Sequence, residues 1–470
     1  MTAAGLAAQP RSPASESLDA GRRLHAFAAR LYPICRSITG DGVRRTLELI
    51  RQRIPLEVHE VASGTRVFDW QIPDEWNIED AAVIDPDGRR VIDFQAHNLH
   101  LVSYSEPVHE TLSLEGLAPR LHSLPEHPEW IPYRTSYYRR SWGFCLRHRD
   151  REALRPGRYR VEIKSSLAPG ALSYGELAIA GRSRDEVLLF THICHPSLAN
   201  DNTSGMSIAT ALAEWVASEP RRFTYRFVFA PGTIGSLTWL KRNERRLSRV
   251  RHGLVLALLG DPGPLTYKRS RRESHEIDGI AAYVLGGSGA SIPFSPYGYD
   301  ERQLCSPGFD LPVGRLTRSV NGGYPQYHTS ADDLTLIAPE RLEESLAACR
   351  RIIEVIEGDR RYVNLSPKGE PRLGSRGLYG SVGGSGPAER EHAMLWVLNQ
   401  SDGAHSLLDV ARKSGIGFPV IREAASALEA SGLLAAVGRE PQGRAARGPG
   451  AAGSPTGFRS ARRSTRHKQK

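Results

Sequence analysis

The stretch THICHPSLANDNTSG, Thr191–Gly205, places two histidines, a cysteine and an aspartate between His192 and Asn202. Imidazole nitrogens and carboxylate oxygens are ligand types that suit zinc. Each residue alone has an ordinary explanation, since a histidine in a loop is more often a surface residue. Asp201 could equally cap the helix that begins near Gly205. The position of the stretch in the fold is therefore more informative than any single residue within it.

The stretch directly follows the apolar run EVLLF, in a part of the chain that begins near residue 175. There, the short apolar runs EVLLF, YRFVFA and GLVLAL are separated by segments with helical periodicity, such as GMSIATALAEWVAS. Buried strands that alternate with helices predict a mostly parallel α/β sheet. Because ligands of such sheets bind beyond the carboxyl ends of the strands, the stretch lies where a site is expected.

Further residues with metal-ligand chemistry follow the later strands of the same segment. Asp261 comes after GLVLALLG, and His328 lies in YPQYHTSADDL. Since the carboxyl ends of parallel strands meet at one edge of the sheet, we expect these side chains to converge there. The predicted ligands of one or two zinc ions are His192, His195, Asp201, Asp261 and His328.

The pattern of apolar and polar residues divides the rest of the chain into further segments. Apolar and polar residues alternate after residue 56 and break at Pro and Asp-Gly, which indicates strands and turns. Near the carboxyl terminus, three helical stretches are typical of a small winged helix. The predicted order is a disordered lead (1–18), a helical start of the α/β domain (19–55), a β-rich insert (56–165), the α/β core (166–365), a linker (366–386), a winged helix (387–438) and a basic disordered tail (439–470).

The length and composition predict a soluble protein with two or three domains. The chain has 470 residues and 40% hydrophobic residues, with no apolar run near the ~20 residues that span a bilayer. The amino terminus has no apolar block typical of a signal peptide, so we expect no membrane partner. Five scattered cysteines without a CxxC pair argue against a disulfide framework and predict a reducing, cytoplasmic location.

The positive charge is concentrated at the carboxyl terminus. Residues 439–470 contain nine Lys/Arg and one Glu, which accounts for most of the net charge of +10. The third predicted helix of the winged helix, PVIREAASALEASG, has one Arg and two Glu, which suits phosphate contact poorly. We therefore expect this domain to contact protein or to dimerise rather than to bind DNA. The basic tail keeps a nucleic-acid contact open, and a homo-oligomer also stays open.

The aromatic string SYYRRSWGF has two interpretations. It could line a substrate cleft, with Arg139 or Arg140 meeting a carboxylate. It could instead form the interior of the β-rich insert, with its charges in solvent. The sequence does not decide between the two, nor whether the insert covers the site.

Several strings carry a resemblance to known families. The block from about residue 175 to 357 resembles the zinc aminopeptidases of the transferrin-receptor-like, co-catalytic type, through LLFTH, NDNTSG, LLGD and YHTSADD. From about residue 18 to 434 the chain resembles bacterial aminopeptidase-like proteins with a β-rich insert and a C-terminal winged helix. That second resemblance rests on CRSITGDGVR, SYYRRSWGFC, THICHPSLANDNTSG and DERQLCSPGFDLPVG. It implies an α/β, mostly parallel-sheet zinc-peptidase-like core that hydrolyses a small peptide or an amino-acid amide.

The chain departs from the peptidase pattern next to the first histidine. Where the family has an aspartate that orients the histidine ring, this chain has Cys194. His195 follows it and could compensate. Whether His192 or His195 is the ligand therefore stays open.

A second departure removes the family's pair of glutamates, of which one serves as general base and the other as ligand. In their place the string PGTIGS offers only Gly232 and Thr233. The nearest replacement is Glu301 in YDERQ, which we predict to be the base or a ligand. Its neighbour is Asp300, and one of the two is expected to point into the site.

Two functions follow from these residues. The first is a zinc-dependent hydrolase of amide or peptide bonds, similar to an aminopeptidase. The alternative is a non-hydrolytic metal-binding or ligand-binding protein on a peptidase scaffold. An acidic residue within reach of the attacking water would distinguish the first from the second.

Overall fold

The computed structural model describes residues 13–320, 322–378 and 389–438. The chain divides into two compact units, Met1–Asp359 and Arg360–Lys470. Among the described helices, none has the length and hydropathy that crossing a bilayer would need.

The helices of the first unit pack around a large sheet and a smaller one. They are α1 (Pro13–Leu31), α2 (Asp41–Arg51), α3 (Leu114–Leu117), α4 (His148–Glu152), α5 (Gly205–Ala217), α6 (Ile234–Asn243), α7 (Glu276–Leu285), α8 (Glu301–Leu304) and α9 (Pro339–Gly358). The strands are β1 (Glu57–Ala62), β2 (Arg66–Val67), β3 (Trp70–Gln71), β4 (Glu75–Ile84), β5 (Arg90–Asp93), β6 (Val108–Ser113), β7 (Leu121–His122), β8 (Phe144–Cys145), β9 (Arg158–Ala168), β10 (Ala171–Ile179), β11 (Glu186–His192), β12 (Thr224–Ala230), β13 (Val250–Leu256), β14 (Thr266–Lys268), β15 (Ala290–Ile292) and β16 (Val313–Thr317).

The large sheet has eight strands in the order β1-β10-β12-β11-β13-β16-β14-β15. Its centre, β12-β11-β13-β16, is parallel, whereas β1 and β10 pair antiparallel at one side. Every residue of β11 is buried, which explains why EVLLF reads as a continuous apolar run instead of alternating. The predicted α/β class with a mostly parallel core is confirmed.

Helix α2 shows why the flanking segments are helical. Its apolar residues Val43, Leu47 and Ile50 recur at helical spacing, and all three are buried. At the opposite end of the unit, α9 begins with Pro339 in its first turn, where a missing N–H does no harm. Helix α2 therefore buries one apolar stripe against strand β10 of the large sheet, whereas α9 packs against helices α1, α5 and α7.

The β-rich insert is built on a four-stranded antiparallel sheet in the order β5-β4-β9-β6. The turn between β4 and β5 is the DPDG string, in which Asp85 accepts a hydrogen bond from the Asp87 N–H and Gly88 has φ +84°. The expected insert boundaries, 56–165, shift at both ends. Strand β1 belongs to the edge of the large sheet, and β9 continues to Ala168. An edge strand exposed on one side has the same alternation in either sheet, so texture could not separate them.

The start of the chain also differs from the expectation. Residues 13–18, expected to be disordered, form the first turns of α1, whereas residues 1–12 lie outside the described residues. The segment ASESLDAG contains good helix formers and continues into the apolar stripe of α1, so the helix extends further back than the stripe itself.

The second unit is a small winged-helix fold with α10 (Glu389–Gln400), α11 (Leu407–Ser414), α12 (Phe418–Ala430), β17 (Arg361–Asn364), β18 (Asp402–Ser406) and β19 (Leu434–Ala436). Strand β17 lies between β18 and β19 in an antiparallel sheet, so this unit begins at residue 360, not at 387. The expected core end at 365 and the linker 366–386 are displaced accordingly. Four residues of β17 carry no periodicity that assigns them to one domain rather than the other. Residues 379–386 and the tail 439–470 lie outside the described residues.

A buried ion network ties the middle strands of the large sheet together. Arg226 on β12 contacts Glu186 on β11 through two hydrogen bonds of 2.7 and 2.9 Å, and it also pairs with Glu176 on β10. All three side chains are buried. Arg246 pairs with the same Glu176 from the segment that follows α6.

Replacing Arg226 by Met should lower the free energy of unfolding by about 3–5 kcal/mol, because it leaves two carboxylates buried without their shared cation. Urea unfolding followed by circular dichroism measures the change. The matched control is Arg90→Met, which removes an exposed strand arginine from its pair with Asp80 and should cost no more than about 1 kcal/mol. Equal losses in the two variants would contradict this account.

Candidate metal centre

The central group of the site is the carboxylate of Asp201, which is completely buried. It lies in an irregular helical segment, Ala199–Ser204, that connects the loop after β11 to α5. His192 is the last residue of β11, and its Nε2 lies 2.7 Å from Asp201 Oδ1. His195, in the loop that follows, brings its Nδ1 to 3.7 Å from the same oxygen. The ligand atoms of these three residues lie within 4.8 Å of one another, an arrangement that could hold a metal ion.

The second oxygen of Asp201 is contacted from two later loops. His328, which follows β16, has its Nε2 3.0 Å from Asp201 Oδ2. The Tyr299 hydroxyl donates a hydrogen bond of 3.0 Å to the same oxygen. The rings of His195 and His328 are 5.1 Å apart. The structure therefore gathers His328 with the other histidines, on the far side of the carboxylate.

The segment that carries Asp201 is held by a second buried acid. Asp332 accepts hydrogen bonds from the backbone N–H groups of Asn200 and Asp201, at 2.6 and 3.0 Å. The Asn202 side chain donates to the carbonyl of His192 at 3.1 Å, so the two ligand-bearing segments are linked directly. Burial raises the pKa of Asp332 to about 8. Asp332 was not among the residues predicted for the site, although the ADD string after His328 was a signal for it.

The protonation states suit a metal site. Burial lowers the pKa of His195 to about 3, against the opposing pull of the Asp201 charge, so its ring is neutral at neutral pH. Burial alone would raise the pKa of Asp201, but His195, His192 and His328 hold it well below its usual range. Metal ligands must be deprotonated, and a neutral imidazole beside a carboxylate meets that requirement. The donor set therefore fits one divalent ion.

The structure does not bring Asp261 into this cluster. Its carboxylate accepts hydrogen bonds from the Asn200 side chain, at 2.8 Å, and from the Ser319 hydroxyl, at 2.6 Å. The Gly263 N–H is a third donor, at 2.8 Å. Asp261 lies at the predicted edge of the sheet. Its position after a strand does not determine the direction of its side chain, which points to other partners. At that edge, Leu258 packs in an apolar cluster with Tyr299, Tyr324 and Tyr327.

Cys194 does not replace the aspartate with which the family orients the histidine ring. Its thiol accepts a hydrogen bond from the Gly232 N–H, with N and S 3.2 Å apart, and lies 3.9 Å from His195 Nδ1. Burial raises its pKa to about 12, so the thiol stays neutral. His195 is oriented instead from behind, because Arg36 Nε donates to its carbonyl oxygen at 2.9 Å. Arg36 lies in the string CRSITGDGVR, which thus serves the site from the start of the chain.

The histidines open onto a cavity of about 820 Å³. The β-rich insert supplies one wall of it, with Trp70, Tyr133 and Tyr137 among the lining residues. The Tyr133 ring lies 5.3 Å from that of His195 and 5.2 Å from that of His328. Its backbone N–H donates to the His328 carbonyl at 2.8 Å, so the wall and the metal loop are joined. The insert therefore forms part of the wall of the site.

The two arginines of the aromatic string lie elsewhere. Arg139 and Arg140 line a smaller cavity of about 300 Å³, and Arg140 pairs with Asp74 at 3.2 Å. The preceding tyrosines, Tyr137 and Tyr138, do line the larger cavity. The string thus contributes its rings to the site and its charges to a neighbouring surface.

The prediction that Glu301 enters the site is not met by its geometry. The side chain is fully buried, and its Oε1 accepts hydrogen bonds from Lys268, at 2.8 Å, and from Arg315, at 3.2 Å. It is not among the residues that line the cavity, whereas its neighbour Asp300 is. Two buried cations behind the turn attract the glutamate, so the shorter acid faces forward. Lys268 also donates to the Tyr297 carbonyl at 2.8 Å, which anchors the loop before α8.

Comparison with known proteins agrees with this fold. Residues 25–359 match the family described as "Domain of unknown function (DUF4910)", and residues 360–436 match a winged helix-turn-helix family. A candidate polysaccharide biosynthesis protein with an aminopeptidase-like domain, from Clostridium acetobutylicum, is 48% identical over 423 residues, which cover 89% of this chain and 97% of that protein.

Solved structures give the same picture. The crystal structure of a candidate peptidase from Clostridium acetobutylicum superposes with a TM-score of 0.85 at 47% identity, covering 90% of this chain and 98% of that one. The zinc aminopeptidase BSAP from Bacillus subtilis superposes with a TM-score of 0.53 at 15% identity, covering 72% of this chain and 94% of that one. The second likeness shows a shared fold alone. The predicted resemblance to aminopeptidase-like proteins with a winged helix is confirmed, and the chain belongs to the DUF4910 family.

Proposed function

We propose that this protein is a zinc-dependent hydrolase of amide bonds, acting on a small peptide or an amino-acid amide. The observation that carries the proposal is the convergence of His192, His195 and Asp201, within 4.8 Å, at the wall of a cavity large enough for such a substrate. Two imidazoles and a carboxylate are the ligand set of many catalytic zinc sites that keep a position open.

A bound zinc ion would supply Lewis-acid polarisation of the scissile carbonyl. The protein's own residues provide the remaining conditions. Tyr299 and His328 hold the outer oxygen of Asp201, so the carboxylate keeps one orientation. The aromatic wall around Tyr133 restricts water around the histidines, and in a drier site electrostatic interactions are stronger.

The donor set supports one ion rather than two. A second ion would need further carboxylates close to Asp201, but Gly232 and Thr233 have no metal-binding carboxylate or imidazole. The carboxylate of Asp261 is already occupied by Asn200 and Ser319. We therefore propose a single zinc held by His192, His195 and Asp201, with His328 beside it.

The charges on the winged-helix unit indicate what kind of partner it contacts. The exposed residues of α12 include both Arg422 and Glu423, a mixed charge that suits protein contact better than DNA phosphates. We propose that the winged-helix unit contacts protein, either a second copy of this chain or another partner. We also propose a cytoplasmic location, on the grounds of the five cysteines, which are all free.

Asp201→Asn should reduce the zinc content of the purified protein from about one ion per chain to below about a tenth, because the amide is a poor zinc ligand. Atomic absorption on the folded fraction measures it. Asp261→Asn should keep the ion, although it will lower stability by replacing an acceptor that faces four donors. Loss of zinc in Asp261→Asn with retention in Asp201→Asn would reverse the assignment.

Zinc-loaded protein should release amine from amino-acid amides or short peptides, and stripping the ion with a chelator should abolish most of the turnover. Adding zinc back should restore it. An assay of free amine, run before and after metal removal, tests both statements. If the zinc-loaded protein cleaves no member of such a panel, the alternative of a non-hydrolytic binding protein on a peptidase scaffold replaces this proposal.

A further inference from the structure

We propose that Asp300 is the carboxylate that moves the proton in amide hydrolysis, in place of the glutamates that the loop after β12 lacks. The inference rests on the hydrolase function proposed above. It concerns a residue that reaches the site from a different part of the chain, just before α8, rather than from the loop in which the resemblance would place a base.

The first observation is that Asp300 is buried yet has a free oxygen. Its exposed fraction is 1%, and its Oδ1 accepts a hydrogen bond of 2.9 Å from the Thr233 N–H. Its Oδ2 has no hydrogen-bond partner among the described residues, because the neighbouring Ser236 hydroxyl donates to the Thr233 carbonyl at 2.9 Å instead. The Asp300 side chain lines the cavity. A buried carboxylate oxygen without a donor is costly unless a ligand, a water or a metal site supplies one.

The second observation is where that oxygen lies. A Cβ built on Gly232 would stand 3.9 Å from Asp300 Oδ2, 3.9 Å from the His192 Cβ and 3.4 Å from the Cys194 sulfur. The space that a side chain at 232 would enter is therefore bordered by Asp300 on one side and by a metal ligand on the other. With glycine at this position, no side chain of residue 232 stands between Asp300 and the cavity.

The third observation is that the other acids near the site are paired or lie away from the cavity. Asp201 is contacted through both oxygens by the histidines and Tyr299. Glu301 pairs through its Oε1 with Lys268 and Arg315, and although its Oε2 also lacks a hydrogen-bond partner among the described residues, Glu301 does not line the cavity. Among the described residues that line the cavity, Asp300 is the acidic one. The Glu301 ion pairs anchor the start of α8, which holds Asp300 in place from behind.

The reaction balances with this one group. The oxygen of a water molecule bonds to the carbonyl carbon of the amide while one of its protons passes to Asp300 Oδ2. The carbon–nitrogen bond then breaks, and Asp300 returns the proton to the leaving nitrogen, which departs as an amine. The remaining proton of the water stays on the new carboxylic acid and ionises to solvent. Asp300 ends as the carboxylate with which it began.

The test uses the full-length protein loaded with zinc and the variant Asp300→Asn. We expect kcat to fall by roughly 10²–10⁴-fold with KM little changed, since an amide cannot accept the proton. Zinc affinity, measured by competition with a chelator, should stay within about threefold, as should the affinity for an uncleaved substrate analogue. The matched control is Asp310→Asn, which removes an acid of the following loop that pairs with Arg271 at the surface and should leave all of these values unchanged.

A second variant tests the position itself. In Asp300→Ala, adding Gly232→Glu should restore at least tenfold in kcat, because the new carboxylate enters the space that Asp300 borders, and its Cβ meets only ordinary contacts. If the double variant still binds zinc and the analogue but its kcat does not recover, a carboxylate in this space does not carry the proton, and the role of Asp300 is overturned.

The outcomes separate the two proposals. Wild-type protein that binds zinc but cleaves nothing overturns the hydrolase function itself. Active wild type with an equally active Asp300→Asn overturns the role of Asp300 alone. If Asp300→Asn loses its zinc, Asp300 is a ligand and the proton-transfer role is overturned.

Discussion

A carboxylate that has no contact with bulk water must find its charge compensation inside the protein, and Asp201 imposes that requirement on the whole site. Its two oxygens are met by groups from three different loops: His192 and His195 on one side, Tyr299 and His328 on the other. The cost of burying an unpaired charge explains why so much of the surrounding structure converges on one residue.

The surrounding framework transmits that constraint outwards. Asp332 fixes the backbone on both sides of the Asn200–Asp201 peptide, and Asn202 ties the same segment to the end of β11. The insert then joins the site through the backbone contact between Tyr133 and His328. The insert is thus part of the site's wall.

The adjacent acids Asp300 and Glu301 have different roles because their surroundings differ. Glu301 and Asp300 stand side by side at the start of α8, but Lys268 and Arg315 draw the longer side chain inwards. That ion pair anchors the turn, while Asp300 faces the cavity with one oxygen unpaired. The same chemical group therefore serves packing at one position and is available for chemistry at the next, because Lys268 and Arg315 pair with Glu301 and not with Asp300.

The amino-acid sequence by itself determined the α/β class, the strand-end location of the site and the ligands His192, His195 and Asp201 as candidates, because buried parallel strands read as apolar runs and their carboxyl ends share one edge. Only the tertiary structure decided which acids reach that edge. Asp261 and Glu301 are carboxylates near the correct edge of the sheet. Ser319 donates a hydrogen bond to Asp261, and Lys268 donates one to Glu301, so neither carboxylate reaches the site. Both donors are distant in sequence from the acids that they contact. The assignment of β1 to the large sheet and of β17 to the second unit likewise depended on long-range pairing. Local pattern encodes burial and periodicity, whereas the direction of a side chain depends on which charges the fold brings beside it.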